Sequence, residues 1–565
     1  MSVDFEDKGV SMSEFPKLRC PACGYTEPFQ RPLLQCPRCG GDWLDVVYDY
    51  ETVGRQWPEA LRERPFDMWR YRELLPLRDD AHRITMGEGG TPLLRAVNLE
   101  MMLGCAHIFV KDERQGPTGS FKDRQASLAL SVMKEMGVTE AVVASTGNVA
   151  ISYSAYSARA GIKLWAFLTS LVPPEKMREV ALYGSEVVKV TATYDQTKQV
   201  AAEFARRQGI HLDRGIRSIA ARESMKTVAF EIAEQLPVFL GPGPTPWRAP
   251  DWYIQAVSGG LGPVGVWKGY EELVKMGLVD RMPRLACIQA EGCAPMVHSF
   301  QKGLEEAEPV LHPRTRIITV ATGSPGPAYT FLARVIREYG GVFTAVSDEE
   351  AFRAMHVMAK LDGISMEPAA AMAFAGLFKL LSEGVIRRDE VVVVNCSGHT
   401  FPVEKHLLGE TWARTVEVPT EAPAVEDGLL SSLEQLDRSV RRIAILEDDP
   451  GASRLLRRIL QARGDYQIFE AHDGRSGLEL IRRERPDVIL LDLMMPEVDG
   501  FQVLEVLKED EELAQIPVIV ITAKELTPGE RARLNSQIQR LLQKGDFSDE
   551  DLLHEILDVL EGKTK

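Results

Sequence analysis

No stretch of this chain approaches the ~20 consecutive apolar residues that a membrane-crossing helix needs, and the segment from Met1 to Glu14 is acidic and polar where a secretory leader would be basic and then apolar. Both absences predict a cytosolic, cytoplasmic protein. Positive charge is in short supply: 66 Lys and Arg stand against 82 Asp and Glu, a formal net charge of -16. With no basic face to neutralise a phosphate backbone, no nucleic-acid partner is expected, nor a membrane, and small-molecule and protein partners are. Cysteine is sparse outside one cluster. Four of the 8 lie between positions 20 and 39, and Cys105, Cys287, Cys293 and Cys396 are scattered, which argues against a disulfide framework. There is no internal repeat, and the one compositionally biased tract is the Thr/Val/Pro/Glu/Ala run from Thr411 to Asp427. At about 150 residues per domain, 565 residues allow three or four.

What is present begins with that cysteine cluster. Cys20-Pro-Ala-Cys23-Gly is followed, with twelve residues between Cys23 and Cys36, by Cys36-Pro-Arg-Cys39-Gly. Each half is a tight knuckle whose glycine lets backbone amides turn toward the thiolates, and two halves make a closed four-sulfur site for structural Zn²⁺. Closure leaves no open position for catalysis. Trp43 to Tyr48 reads as a ribbon strand, so residues 1–50 form a zinc ribbon.

From Gly87 to about Leu408 apolar β-rich runs alternate with helical ones, the pattern of an α/β region with parallel sheets in two lobes. Within it, Gly116-Pro117-Thr118-Gly119-Ser120-Phe121 delivers Lys122 to the start of a periodic apolar run (Ala126, Leu128, Ala129, Leu130, Val132, Met133) that predicts a half-buried helix. An amine there is partly desolvated and beside a positive helix end, and both effects lower its pKa, as a Schiff-base lysine requires. Two further stretches end strands in anion-binding form, Ala144-Ser145-Thr146-Gly147-Asn148 and Val257-Ser258-Gly259-Gly260-Leu261-Gly262, and Asn395-Cys396-Ser397-Gly398 ends the last strand of the region, where ligands bind in open α/β sheets.

With Glu88-Gly89-Gly90-Thr91-Pro92, Lys111-Asp112-Glu113, Lys226-Thr227-Val228-Ala229-Phe230-Glu231 and Met366-Glu367-Pro368-Ala369, this region resembles the fold-type II (tryptophan synthase β-like) pyridoxal-phosphate enzymes, threonine synthases above all. The resemblance implies pyridoxal 5'-phosphate as cofactor, bonded by Lys122 as the catalytic lysine. It implies that Asn148 meets the cofactor's 3'-oxygen, Ser258, Gly259, Gly260, Leu261 and Gly262 its phosphate, and Ser397 its ring nitrogen. Ser145 and Thr146 would hold the substrate carboxylate. A homodimer is implied as well. The Asn-rich run before Lys226 that threonine synthases use for the substrate's phosphate is replaced by Gly215 to Arg222, leaving Arg217 or Arg222 for that contact. The reaction expected first is therefore O-phosphohomoserine plus water to threonine plus phosphate. Cysteate synthase-like replacement on O-phosphoserine, a serine/threonine deaminase and a catalytically weak signalling scaffold stay open.

Beyond the tract at 411–440, in which Leu429, Leu430, Leu433, Leu436 and Val440 lie on one helical face, residues 441–565 repeat β and α five times. Glu447-Asp448-Asp449 follows the first strand, Asp492 the third, Thr522 the fourth and Lys544 a weak fifth near Leu541. The set resembles flavodoxin-like (CheY-like) response-regulator receivers. That implies Mg²⁺ on Asp448, Asp449 and Asp492, phosphorylation of Asp492 by a histidine kinase or small phosphodonor, and Thr522 and Lys544 as switch residues. Residues 51–410 are then the catalytic domain.

Overall fold

The computed structural model describes residues 16–399 and 441–543, except 192, 462–465, 523, 525 and 535–537. The linker, its helical face and Lys544 lie outside the described residues. The chain divides into two compact units, Met1–Met355 with Ser365–Glu404, and His356–Ile364 with Lys405–Lys565. Among the described residues no helix is long and apolar enough to cross a membrane.

The first unit opens with a small antiparallel sheet of β1 (Lys17–Arg19), β2 (Thr26–Pro28) and β3 (Asp45–Val47) in the order β2-β1-β3. So short a ribbon cannot enclose a core. It borrows one: Leu18, Leu44, Val46 and Tyr48 are buried in the same cluster as Trp57, Phe230 and Tyr270 of the α/β region.

The larger lobe is built on β4 (Leu93–Arg95), β5 (His107–Asp112), β10 (Trp252–Ala256), β11 (Arg284–Ala290), β12 (Gly341–Val346) and β13 (Val391–Cys396), ordered β12-β11-β10-β13-β5-β4. All neighbours are parallel except the edge strand β4. Val391 to Cys396 is buried at all six positions, as expected of a central strand covered on both faces. The second lobe holds β6 (Glu140–Ser145), β7 (Lys163–Thr169), β8 (Glu186–Val190) and β9 (His211–Leu212), all parallel, ordered β8-β7-β6-β9. Ligands of such sheets gather at the carboxyl ends of the strands, and Ser145, Ser258 and Ser397 all sit at such ends.

The Lys122 helix (Lys122–Glu135) differs from the half-buried element its periodicity predicts. Every residue from Asp123 to Met133 is buried. Its polar members are tolerated because each is hydrogen-bonded: Ser127 donates to the Ile84 carbonyl at 2.7 Å, Ser131 to the Ser127 carbonyl at 2.7 Å, and the Gln125 amide to Tyr153 at 3.2 Å. The helices Ile219–Leu240 and Leu261–Lys275 meet backbone to backbone. A Cβ on Gly265 would lie 2.3 Å from that of Met225, and one on Gly269 would lie 2.6 Å from the Lys226 carbonyl, so no side chain fits at either crossing point. That close packing fixes where the second helix begins.

In the second unit β14 (Arg441–Leu446), β15 (Tyr466–Ala471), β16 (Val488–Leu491), β17 (Val518–Thr522) and β18 (Arg540–Gln543) form one parallel sheet ordered β15-β14-β16-β17-β18. This is the doubly wound order of flavodoxin-like domains. Leu541, where a weak fifth strand is expected, is on β18 opposite Val520.

Candidate active site and metal centres

The loop before Lys122 is strapped to the end of β13. Phe121 N–H donates to the Ser397 carbonyl at 3.0 Å, His399 N–H to the Gly119 carbonyl at 2.8 Å, and Ser120 bridges Gly398. Asp123 closes the loop from the other side, accepting from Thr118 N–H at 2.9 Å and Thr118 Oγ1 at 2.5 Å. Lys122 is thereby held at the wall of a cavity of about 450 Å³, with its Nζ 4.2 Å from the Phe121 ring centroid. Desolvation lowers its pKa to about 8 against the opposing pull of Glu367 and Asp213. The expected neutral amine is therefore accessible near physiological pH.

Beneath this loop the motif residues form a buried ionic scaffold. Arg124 donates to Glu113 at 2.7 and 2.8 Å and to Glu231 at 2.5 and 2.8 Å, and Lys111 donates to Glu231 at 2.7 Å and to the Thr91 carbonyl at 2.7 Å. Glu231 also accepts from Gly90 N–H at 2.9 Å. Two cations and two carboxylates thus satisfy one another in a dry interior. That role accounts for Lys111, Glu113, Arg124 and Glu231 without placing any of them on the cavity wall.

Along the same cavity, Gly259 and Gly260 turn the chain from β10 into the helix Leu261–Lys275. Gly260 adopts φ +81°, nothing stands within 4 Å of where a Gly259 Cβ would be, and a Cβ on Gly262 would strike the Gln255 amide at 2.4 Å. Open backbone at the start of a 15-residue helix is an anion cradle. Ser258 binds Thr322 through its hydroxyl. Ser258, Gly259, Gly260, Leu261, Gly262 and Ser397 all line the cavity. An amine of lowered pKa and a helix-end cradle lining one cavity suit an aldehyde cofactor that carries a phosphate.

Ser145, Thr146 and Asn148 also reach the cavity, each with a protein partner. Ser145 Oγ accepts from Gly147 N–H at 3.0 Å and Ala150 N–H at 3.1 Å, which caps the helix Asn148–Ala160, and Thr146 Oγ1 donates to the Thr319 carbonyl at 3.2 Å. Asn148 is fixed by two charged groups that sequence reasoning passed over: its Nδ2 donates to Glu367 at 2.7 Å and its Oδ1 accepts from Lys176 at 2.7 Å. Lys176 lies 3.3 Å from Glu367. Glu367 stands inside the Met366-Glu367-Pro368 motif, so its signal was present. Asp213, on the cavity wall, accepts from the Tyr153 hydroxyl at 2.8 Å, and its pKa is raised by burial.

The two arginines proposed for a phosphate part company. Arg217 lines the cavity. Arg222 does not: it is 3% exposed, donates to the Ile216 carbonyl at 2.6 Å and to the Leu44 carbonyl, and lies 4.3 Å from the Trp43 ring centroid. Its guanidinium is committed to seating the ribbon, which corrects its assignment to substrate.

The cysteine cluster closes as its spacing predicts. Cys20, Cys23, Cys36 and Cys39 present sulfurs within 4.8 Å of one another, with Cys20–Cys39 and Cys23–Cys36 at 3.6 Å. A tetrahedron with Zn–S bonds of ~2.3 Å has edges of about 3.8 Å, so the set fits zinc. Gly24 and Gly40 take φ of +71° and +73°, and each returns its N–H to the first cysteine of its knuckle at 2.9 Å.

In the receiver, Glu447, Asp448 and Asp492 offer oxygens within 4.8 Å of one another. Asp449 is not in that group, contrary to its assignment as a metal ligand. Its carboxylate accepts from Gly451 N–H at 2.7 Å and its carbonyl from Ser453 N–H at 2.9 Å, as an N-cap of the helix Pro450–Gln461 does. β14 ends at Leu446, so Glu447 and Asp448 are the residues at the strand's edge. Thr522 is buried at the end of β17.

Comparison with known proteins agrees with this geometry. Residues 84–398 match the pyridoxal-phosphate dependent enzyme family and residues 443–557 the response regulator receiver domain. The chain is 37% identical over 383 residues to a threonine synthase of Methanocaldococcus jannaschii, covering 67% of this chain and 91% of that one. It is 33% identical over 419 residues to a threonine synthase of Methanosarcina acetivorans, covering 74% and 98%. A solved diaminopropionate ammonia lyase from Escherichia coli shares the fold at 15% identity, with a TM-score of 0.50 over 64% of this chain and 92% of that one.

Proposed function

The chain belongs to the threonine synthase family of pyridoxal-phosphate-dependent enzymes, with a receiver domain joined to it, and from that premise we propose that it converts O-phosphohomoserine and water into threonine and phosphate. The observation that carries this reading is that the buried, pKa-lowered Lys122 and the Gly259–Gly262 cradle line one cavity. Bound there, pyridoxal phosphate withdraws electrons from the bonds at the substrate's α-carbon.

The protein's own groups then have distinct tasks. Lys122 is the residue that would bond the cofactor, and its amine, titrating near pH 8, can take and return the protons that must move at the substrate's α-, β- and γ-carbons. The cradle would hold the cofactor's phosphate, Asn148 its 3'-oxygen and Ser397 its ring nitrogen. Glu367 and Lys176 keep the Asn148 amide in one orientation. Ser145 and Thr146 present the helix N-terminus to the substrate carboxylate. Arg217 meets the substrate's phosphate as it leaves, and water adds at the β-carbon.

In the receiver the same reading makes Asp492 the acceptor of a phosphoryl group from a histidine kinase or small phosphodonor. Glu447, Asp448 and Asp492 would hold Mg²⁺, and Thr522 would hold a phosphoryl oxygen. Phosphorylation regulates the enzyme, which works as a homodimer in the cytoplasm.

A steady-state phosphate-release assay tests the substrate. O-phosphohomoserine is expected to release phosphate with a kcat/KM at least ~100-fold above that for O-phosphoserine. Preference for O-phosphoserine would move the enzyme to replacement chemistry one carbon nearer the amine.

A further inference from the structure

The second zinc knuckle and the cavity share two arginines. Arg214 and Arg217 flank the short turn after β9, and both line the cavity. Arg217 Nε bonds the Asp42 carboxylate at 2.6 Å, and Arg214 Nη2 reaches the same carboxylate at 3.3 Å. Arg214 Nη1 donates to the Leu34 carbonyl at 3.0 Å. Leu34 and Asp42 bracket Cys36 and Cys39 in the sequence, so the loop that closes around zinc is also the loop that holds the arginine pair.

One carboxylate against two guanidiniums leaves this cluster with one positive charge in excess. Arg217 is 41% exposed and Asp42 34%, the regime in which an ion pair is weak and exchangeable. Arg222, 3% exposed and packed on Trp43, has no such freedom. A phosphate monoester carries nearly two negative charges and three acceptor oxygens, and the guanidinium fork matches it better than it matches a single carboxylate. A dianion entering the cavity therefore outbids Asp42 for both arginines, whereas a substrate carrying only a carboxylate at that end does not.

We propose that Arg214 and Arg217 form the subsite for the substrate's phosphate and that Asp42 of the zinc ribbon occupies it as an internal anion until that phosphate displaces it. This rests on the phosphate-ester reading above and adds to it a selectivity device contributed by the ribbon. Asp42 keeps the two like charges together when the subsite holds no ligand, and it sets a threshold that monoanions do not pass. Zinc in the ribbon is thereby linked to substrate recognition through the position of Asp42.

Titrating inorganic phosphate calorimetrically into the full chain, loaded with zinc and pyridoxal phosphate so that the glycine cradle is filled, reads the subsite directly. Asp42→Asn is expected to bind phosphate about fivefold tighter, equivalent to about 1 kcal/mol, and to lower KM for O-phosphohomoserine in parallel. Asp42→Glu, which restores the competing charge, returns toward wild type. Arg217→Gln binds phosphate at least tenfold more weakly, and in the Arg214→Gln/Arg217→Gln background Asp42→Asn has no effect. Zinc content confirms that the knuckle is intact, and if Asp42→Asn loses zinc, Asp42→Ser takes its place. Equal or weaker phosphate binding by zinc-loaded Asp42→Asn overturns the internal-anion role while leaving the arginine subsite standing. Wild-type phosphate affinity in the double arginine variant overturns the subsite. Failure of the wild type to release phosphate from the ester overturns the functional reading itself.

Discussion

In the catalytic unit four charged side chains of both signs meet beneath the Lys122 loop, whereas at the edge of the receiver sheet three carboxylates of one sign come together. Lys111, Glu113, Arg124 and Glu231 are all buried and every charge among them is paired. Glu447, Asp448 and Asp492 share one sign, and Asp448 is exposed. The first arrangement is complete within the chain and serves to hold a loop still. The second is the acidic cluster to which Mg²⁺ and a phosphoryl group are assigned by the proposal above. The contrast is between a buried scaffold of paired charges and a cluster of like charge at the carboxyl ends of two parallel strands.

The largest test of that contrast is at the cavity. Lys122→Ala is expected to lower phosphate release from O-phosphohomoserine by about 10³-fold or more, because no other amine takes over the bond to the cofactor. Next comes the scaffold: Glu231→Ala leaves Lys111 as a buried cation without its carboxylate and Arg124 with Glu113 alone, and should cost about 3–5 kcal/mol in denaturant unfolding of the catalytic unit. A loss under 1 kcal/mol would mean that the network is not what holds the loop.

Lys122 also makes a pH prediction. Its pKa falls from 10.5 to about 8 on folding, so between those values the unfolded chain carries a proton that the folded one lacks. Stability of the cofactor-free protein therefore rises with pH through that window and is penalised below it. Relative to Lys122→Met, the wild type should gain about 1–2 kcal/mol between pH 7.5 and 9.5.

At the receiver the effects are smaller and divide by residue. Asp449→Ala removes a helix cap and should cost about 1 kcal/mol, with Mg²⁺ binding retained. Asp448→Asn relieves like-charge repulsion, so without Mg²⁺ it should stabilise the receiver by about 0.5 kcal/mol while abolishing the stabilisation that added Mg²⁺ gives the wild type. Thermal melts with and without Mg²⁺ separate the two.

Much of this was legible from sequence because local patterns and global fold agree. The cysteine knuckles, the strand runs such as Val391–Cys396 and the Lys122 loop each carry their geometry in a few adjacent residues. What was not legible depended on contacts between distant segments. The Lys122 helix reads as half-buried because its serines look solvent-facing, yet Ser127 and Ser131 find buried acceptors at Ile84 and within the helix. Asp449 looks like a third ligand until the strand's end at Leu446 shows which acids stand at the edge. Arg217 and Arg222 are indistinguishable in sequence, and only the ribbon's docking separates them, through Leu44 and Trp43 on one side and Asp42 on the other. Glu367 and Lys176 were missed because their meaning is their meeting at Asn148, across 219 and 28 residues.

The most direct measurement follows oxygen. The pyridoxal-phosphate-loaded full chain is incubated with O-phosphohomoserine in ¹⁸O-labelled water, and both products are weighed by mass spectrometry. Cleavage of the carbon–oxygen bond followed by addition of water at the β-carbon predicts threonine with one ¹⁸O in its hydroxyl, equimolar with unlabelled phosphate. Homoserine together with ¹⁸O-labelled phosphate would mean hydrolysis at phosphorus, and would contradict the role assigned to Lys122 and its cavity.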